Sequence, residues 1–383
     1  MKRSGTLSMA LVLVICGCSS GEAGPSCTEP AQPGGHWEWV PPSPLDPRDL
    51  VATWTGEELL IWGEGALVDA PRGDPEPRRA AAYSPVTKSW RDITPYGSGQ
   101  GGIWPGVAWT GSEWIVWGGE AGRVGGERQV VSTGVRIDPA TGEWREMAPA
   151  PIEGRVSPQT AWTGTEVIFL GGGTEDFARA EGGAAYDPVA DTWREINMSG
   201  APTVNPGPGF WTGERLLFWS VGEDAEIATA YDPEQDSWSP IPLDGAPIGT
   251  WAAAWTGSEM LAWGYDMEKG YVAGGAYDPE RQSWRQLSTS GAPLAVPNRL
   301  TEDPVWSGTR MYVWGDYSSG CRVGGFYDVA SDRWSTFTSE GAPTNRYGHH
   351  LAWTGHSLLV IGGYGGHEGR YGQVDGGEFF PEP

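Results

Sequence analysis

Seven times along this chain a Trp is followed by a Thr-Gly or Ser-Gly pair and then by a hydrophobic strand: Trp54, Trp109, Trp162, Trp211, Trp255, Trp306 and Trp353. Their separations of 55, 53, 49, 44, 51 and 47 residues make a repeat of nearly constant length. A second signal follows inside each repeat, a Tyr-Asp-Pro or close variant and then another Trp. It reads Tyr83-Ser84-Pro85 to Trp90, Ile137-Asp138-Pro139 to Trp144, Tyr186-Asp187-Pro188 to Trp193, Tyr231-Asp232-Pro233 to Trp238, Tyr277-Asp278-Pro279 to Trp284, and Tyr327-Asp328-Val329 to Trp334. Six repeats are complete in this sense. The seventh starts at Trp353 and reaches Gly376 to Pro381 without a closing Trp.

The missing strand stands at the other end. Trp37-Glu38-Trp39-Val40 reads like Trp90-Arg91-Asp92-Ile93, and Trp37 precedes Trp54 by 17 residues, within the 17 to 22 found between corresponding Trp residues elsewhere. The pattern predicts an all-β fold, a seven-bladed β-propeller of four-stranded antiparallel blades in which an N-terminal strand completes the last blade. Such closure removes the open sheet edge that would otherwise template aggregation. Repeats of about 50 residues fit this architecture. Since no blade buries its faces alone, residues 36–383 are expected to form one domain.

Composition agrees. The 383 residues include 59 Gly, 32 Pro and 23 Trp, as an array of short strands and tight turns requires. Nineteen Trp occupy repeat positions: the seven above, seven opening the closing strands (Trp37 included), and Trp62, Trp117, Trp219, Trp263 and Trp314 on second strands. Periodic placement reads as packing rather than sugar stacking. Trp39, Trp104, Trp114 and Trp251 fall outside the pattern.

Residues 1–17 read as a signal peptide, with Lys2 and Arg3 before an apolar core, Leu7 to Ile15, too short to span a bilayer. Ile15-Cys16-Gly17-Cys18 resembles a bacterial lipoprotein signal, although Cys16 departs from the small residue usual there; the resemblance implies lipidation of Cys18. Residues 18–35 then become a flexible tether, and the protein is exported to the cell envelope, anchored to a membrane by lipid alone. An ordinary secreted protein is the alternative. Cys27 and Cys321 remain, and export permits a disulfide between them if the chain before Trp37 can span the distance.

Charge narrows the partners. With 49 Asp plus Glu against 25 Lys plus Arg the net charge is -24, which repels phosphate backbones, and no basic stripe interleaves the aromatics. Nucleic acid is excluded, and a monomer that meets a protein or glycan partner is expected.

The two faces of the disk differ. Turns between first and second strands are tight Thr-Gly pairs, and those between third and fourth are Asp-Pro turns whose carboxylates serve their own backbone rather than calcium. The opposite face carries long loops in the first three blades: Glu64 to Arg79, Glu120 to Thr133 and Thr174 to Gly182. Arg72, Arg78, Arg79, Arg123, Arg128 and Arg179 lie there as candidate binding residues, because loops on a rigid scaffold are where binding groups collect.

Connections between blades enter that same face, reading Gly-Ala-Pro at 200, 245, 291 and 341, with Arg155, Arg299 and Arg346 near the start of channel strands. Gly341-Ala342-Pro343, Arg346, His349, Trp353-Thr354-Gly355 and Gly362-Gly363, with the Tyr-Asp-Pro turns of other blades, resemble bacterial kelch-repeat proteins of the galactose oxidase-like superfamily. Other blades replace His349 by Leu50, Pro105, Pro158, Gly207, Trp251 and Glu302. These differing side chains are expected to ring the channel mouth, so Trp104, Arg155, Trp251, Arg299, Glu302, Arg346 and His349 are candidate binding residues. Copper radical oxidases in that superfamily need two His, two Tyr and a Cys cross-linked to one Tyr. Here His349, His350, His356 and His367 share blade seven and His36 precedes the closing strand, so no convergent metal site and no cofactor is expected. Glu302 and Asp303 could serve as acid and base in a mutarotase-like site, against the plainer reading of a solvated acidic pair. The sequence thus favours a non-catalytic binding or scaffolding module using the long-loop face, with no catalytic residue assigned. The alternative is a channel-mouth enzyme, mutarotase- or oxidase-like, acting on a sugar-like molecule.

Overall fold

The computed structural model describes residues 34–64, 78–93, 102–124, 127–176, 178–202, 209–222, 225–247, 250, 252–266, 271–293, 304–315, 324–365, 371–372 and 375–382. Seven four-stranded antiparallel sheets form a seven-bladed β-propeller. Blade one is Val51–Trp54, Leu59–Glu64, Arg78–Ser84 and Ser89–Asp92. The following blades repeat it, and the first strands of neighbouring blades meet in cyclic order. Blade seven is composite: His350–Trp353, Leu358–Ile361 and Gly376–Phe380 are completed by His36–Val40, which pairs with Gly376–Phe380 from His36 opposite Phe380 to Val40 opposite Gly376.

Small residues with fixed duties set the turns. Thr55 Oγ1 accepts the Glu58 N–H at 2.9 Å, and Gly56 adopts φ 101°, a region nearly closed to side-chain-bearing residues. Thr110, Thr163, Thr212, Thr256, Ser307 and Thr354 repeat the bond at 2.9 to 3.0 Å. On the third-to-fourth-strand turns, Asp138, Asp187, Asp232 and Asp278 accept backbone N–H groups two residues on at 2.8 to 3.1 Å. Those carboxylates are engaged in shaping their own turns.

The core lies between blades. Trp62, Trp117, Trp219, Trp263 and Trp314 are buried there. Trp114, outside the repeat pattern, is buried with them and donates to Thr53 Oγ1 at 3.0 Å, whereas Trp39 is 61% exposed on the closing strand. In six of the seven blades, among the described residues, the Trp near the start of the fourth strand staples its blade to the one before. Indole N–H groups reach back from Trp90 to the Pro41 carbonyl, Trp193 to Ala148, Trp238 to Asn197, Trp284 to Pro242, Trp334 to Ser288, and Trp37 to Thr338, all at 2.7 to 3.0 Å.

A second, polar tie crosses some seams. Between blades three and four, Arg194 donates to the Tyr231 hydroxyl at 3.3 Å, and that hydroxyl donates to Asp236 at 2.7 Å. Asp236 also accepts the Asn197 N–H of blade three at 2.9 Å. Arg136, Tyr186, Asp191 and the Ala148 N–H repeat the arrangement between blades two and three. Between blades five and six, Tyr327 donates to Asp332, which accepts the Ser288 N–H at 2.9 Å. At the seam joining the chain's two ends the polarity reverses, and Glu38 of the closing strand pairs with Lys88.

Candidate functional site

The long-loop face is more ordered than a set of loops. Residues 120–133, a long loop by sequence, contain a hairpin of Glu120–Val124 and Glu127–Val130. Arg128 joins it to blade three: Nε donates to Glu120 at 2.6 Å and Nη1 to the Thr174 carbonyl at 3.5 Å. The Val130 N–H donates to Glu175 at 3.5 Å, and Arg179 donates to the Pro202 carbonyl at 2.6 Å. Arg128 and Arg179 are therefore braces within this shelf. Arg79 is exposed, while Arg78 and Arg123 lie on strands Arg78–Ser84 and Glu120–Val124. Blade seven adds a short pair, Tyr364–Gly365 with Tyr371–Gly372, and the Tyr364 hydroxyl bonds Asp49 of blade one.

The channel-mouth candidates occupy different surroundings from those expected. Arg155 is 0% exposed and donates to the carbonyls of Glu153, Gly171, Glu181 and Gly182, so it clamps its blade's entering segment to both ends of its long loop. Burial lowers its pKa to about 10, which leaves it cationic at neutral pH. Arg346 repeats the clamp in blade seven, reaching the carbonyls of Thr344, Gly362 and Asp375 and the Asp375 carboxylate at 2.5 Å. Both guanidiniums face backbone carbonyls rather than the opening. The long loops' own ends need those donors, since buried carbonyls must be paired.

His349 is wholly buried. It sits at the blade six–seven seam, so close to Gly315 that a Cβ there would lie 2.7 Å from Cε1. Neither ring nitrogen completes a hydrogen bond, although the Trp314 backbone lies near enough to favour protonation slightly; burial dominates, followed by the charge of Arg346, and lowers the pKa to about 3. Leu50, Pro105 and Pro158 at equivalent positions are likewise buried. In these blades the position plugs a seam. Trp104 is half-buried in a left-handed conformation at φ 52°; its exposed counterpart Ser157 shares that conformation at φ 50° and donates its N–H to the Trp104 carbonyl at 2.7 Å. A Trp there is unusual and strained. Trp251, Arg299, Glu302, Arg72, Cys18, Cys27 and Cys321 lie outside the described residues.

The structure brings together Arg128 with the blade-three loop, and Trp104 with the segment that follows Arg155. Sequence reasoning did not anticipate a cleft of about 710 Å³ on the opposite, tight-turn face, between blades four and five, lined by Arg215, Ser239, Trp255, Tyr277 and Gln282 among others.

No family model and no curated protein matches this chain. Among solved structures it is similar to a fungal alcohol oxidase of the AA5 family, solved in complex with copper, with a TM-score of 0.64 and 16% identity over 91% of this chain and 76% of that one. Likeness at that identity establishes the shared propeller. A copper centre does not fit the described residues: no three His, Cys, Asp or Glu side chains among them are grouped to hold a metal, His349 is enclosed, and a His350 ring nitrogen engages the Leu50 carbonyl at 2.8 Å.

Proposed function

We propose that this propeller is a binding or scaffolding module that works without catalysis through its long-loop face. The observation that carries the reading is the Arg128-braced shelf, where the inserts of blades two and three are bonded to each other. Ordering such inserts costs about 1–2 kcal/mol of backbone entropy per residue, and blade architecture does not need them. A rigid, preorganised surface for a protein or glycan partner accounts for that cost. We further propose export, with a lipid on Cys18 as the membrane anchor or, failing lipidation, secretion. Cys18→Ala should then abolish incorporation of labelled fatty acid, and unchanged labelling would refute the anchor.

The test of the binding reading is affinity capture from envelope extract and on a glycan array, comparing the mature protein with a variant shortened at 120–133 and 174–182. Loss of a wild-type partner on shortening supports it; partners or glycans retained in full by the shortened protein would overturn it. A second reading, a channel-mouth enzyme acting on a sugar-like alcohol or hemiacetal, is favoured by the fold shared with an alcohol oxidase. Turnover of sugars by the mature protein, unaffected by the shortening, would move the assignment there.

A further inference from the structure

The seam between blades four and five departs from the tied seams in several coordinated positions. The fourth-strand Arg194 is replaced by Ser239, the turn Asp236 by Gln282, and the residue whose N–H that Asp would accept by Pro242, which has none. The Tyr is kept. Tyr277 is 3% exposed, lines the cleft, and has no hydrogen-bond partner among the described residues, whereas Tyr186, Tyr231 and Tyr327 each donate to a turn Asp. One more exchange accompanies these. The first-turn position that holds Glu58, Glu113, Glu166 and Glu259, each paired with an Arg of the same blade, carries Arg215. Its ionic contact is a long one, Nε to Asp232 at 3.8 Å, with the side chain 45% exposed.

The cleft therefore keeps the phenol of the tie, gains a guanidinium from the first-turn position in Arg215, and lacks the turn carboxylate that accepts from the Tyr in the tied seams. We infer that the blade four–five cleft binds a small carboxylic acid, whose carboxylate takes the place that Asp236 fills next door, accepting from Tyr277 and Arg215. Leu217, Ile241 and Trp255 supply an apolar lining for the body of the molecule. Of the four carboxylates on the rim, Glu259 is paired with Arg285 and Asp278 with Arg281, while Glu214 and Glu280 keep the rim acidic, which favours a monoanion over a polyanion. The inference is independent of the long-loop reading, because the cleft opens on the other face.

Ligand-detected NMR on the mature protein tests it, using acetate, phenylacetate and galacturonate, with phenylacetamide as the neutral counterpart. At least one acid should bind with a Kd of about 10 mM or tighter, and the amide about tenfold more weakly than phenylacetate. Ser239→Arg, which restores the guanidinium of the tied seams, should fill the cleft and abolish binding while leaving the thermal midpoint unchanged or raised. Arg215→Glu should abolish binding, and Ser239→Ala should retain it. No binding by any of the three acids, or binding that Ser239→Arg leaves intact in a folded protein, would overturn the inference.

Discussion

Blade four has two unlike neighbours. Towards blade three it is joined by an indole staple and by the chain Arg194, Tyr231, Asp236; towards blade five it keeps the staple, from Trp284 to Pro242, and opens a cleft where the polar tie would be. The same backbone geometry serves both. Packing, the indole bonds of Trp284 to Pro242 and Trp219 to Thr250, and the Gln286 bond to the Gly245 carbonyl hold this seam without the charged tie, which is thus a replaceable addition. A repeat protein can vary such ties, one seam at a time, without changing its fold.

Acid is the strongest way to separate the seams that lack the full tie. Between blades six and seven, His349 has a folded pKa of about 3 against an ordinary 6.5, so the unfolded chain binds the proton first. Stability should fall as pH drops from 6.5 towards 3, with about one proton taken up on unfolding in that window. His349→Leu, which copies Leu50 of blade one, should flatten that limb in urea melts at stepped pH; an unchanged slope would mean that His349 is not the group responsible.

Next in size are the staples. Trp238→Ala and Trp284→Ala should each cost about 2–3 kcal/mol, and nearly equally, because both lose an indole hydrogen bond and a packed ring. Denaturant midpoints that differ strongly between the two would show that the tie, not the staple, dominates a seam. Asp236→Ala and Gln282→Ala isolate the tie itself. Both residues occupy left-handed turn positions, φ 48° and 51°, so backbone strain cancels in the comparison. The Asp change should be worse by about 1–2 kcal/mol, the cost of stranding the Tyr231 hydroxyl and the Asn197 N–H.

The smallest effect is expected at the blade five–six seam. The hydrogen bond from Tyr327 holds the Asp332 carboxyl below its ordinary range. That contribution is present above the unfolded carboxylate value of about 3.8 and disappears as pH falls through the lower folded value. Asp332→Asn should lower stability slightly at pH values above about 3.8, and urea melts of the two proteins should converge as pH falls further; a difference that persisted in the most acidic solutions would count against this contribution.

The fold was legible because the same Trp duties recur around the ring, and even Trp37, displaced to the other end of the chain, keeps its spacing. Trp114 was less legible: its burial depends on meeting Thr53 of the neighbouring blade. Arg155 and Arg346 stood out as cations, but their acceptors are mostly backbone carbonyls, which leave no mark in a sequence. His349 was visible as an exception and opaque in its surroundings, since its enclosure comes from Gly315 and Trp314 of another blade. The open seam did leave a trace. Turn Asp residues 191, 236 and 332 accompany Ala148, Asn197 and Ser288, which own an N–H, while Lys88 and Gln282 accompany Pro41 and Pro242, which do not. Only a structure shows that these residues, some 40 to 50 positions apart, meet.

The composite blade also has a mechanical side. Tension arriving along the polypeptide before Gly34 is delivered first to His36–Val40, whose hold on the ring is its pairing with Gly376–Phe380, the Trp37 indole bond to Thr338 and the Glu38–Lys88 pair. Under such a load the closing strand is the element the pull reaches first, and its release would turn a closed ring into an open one.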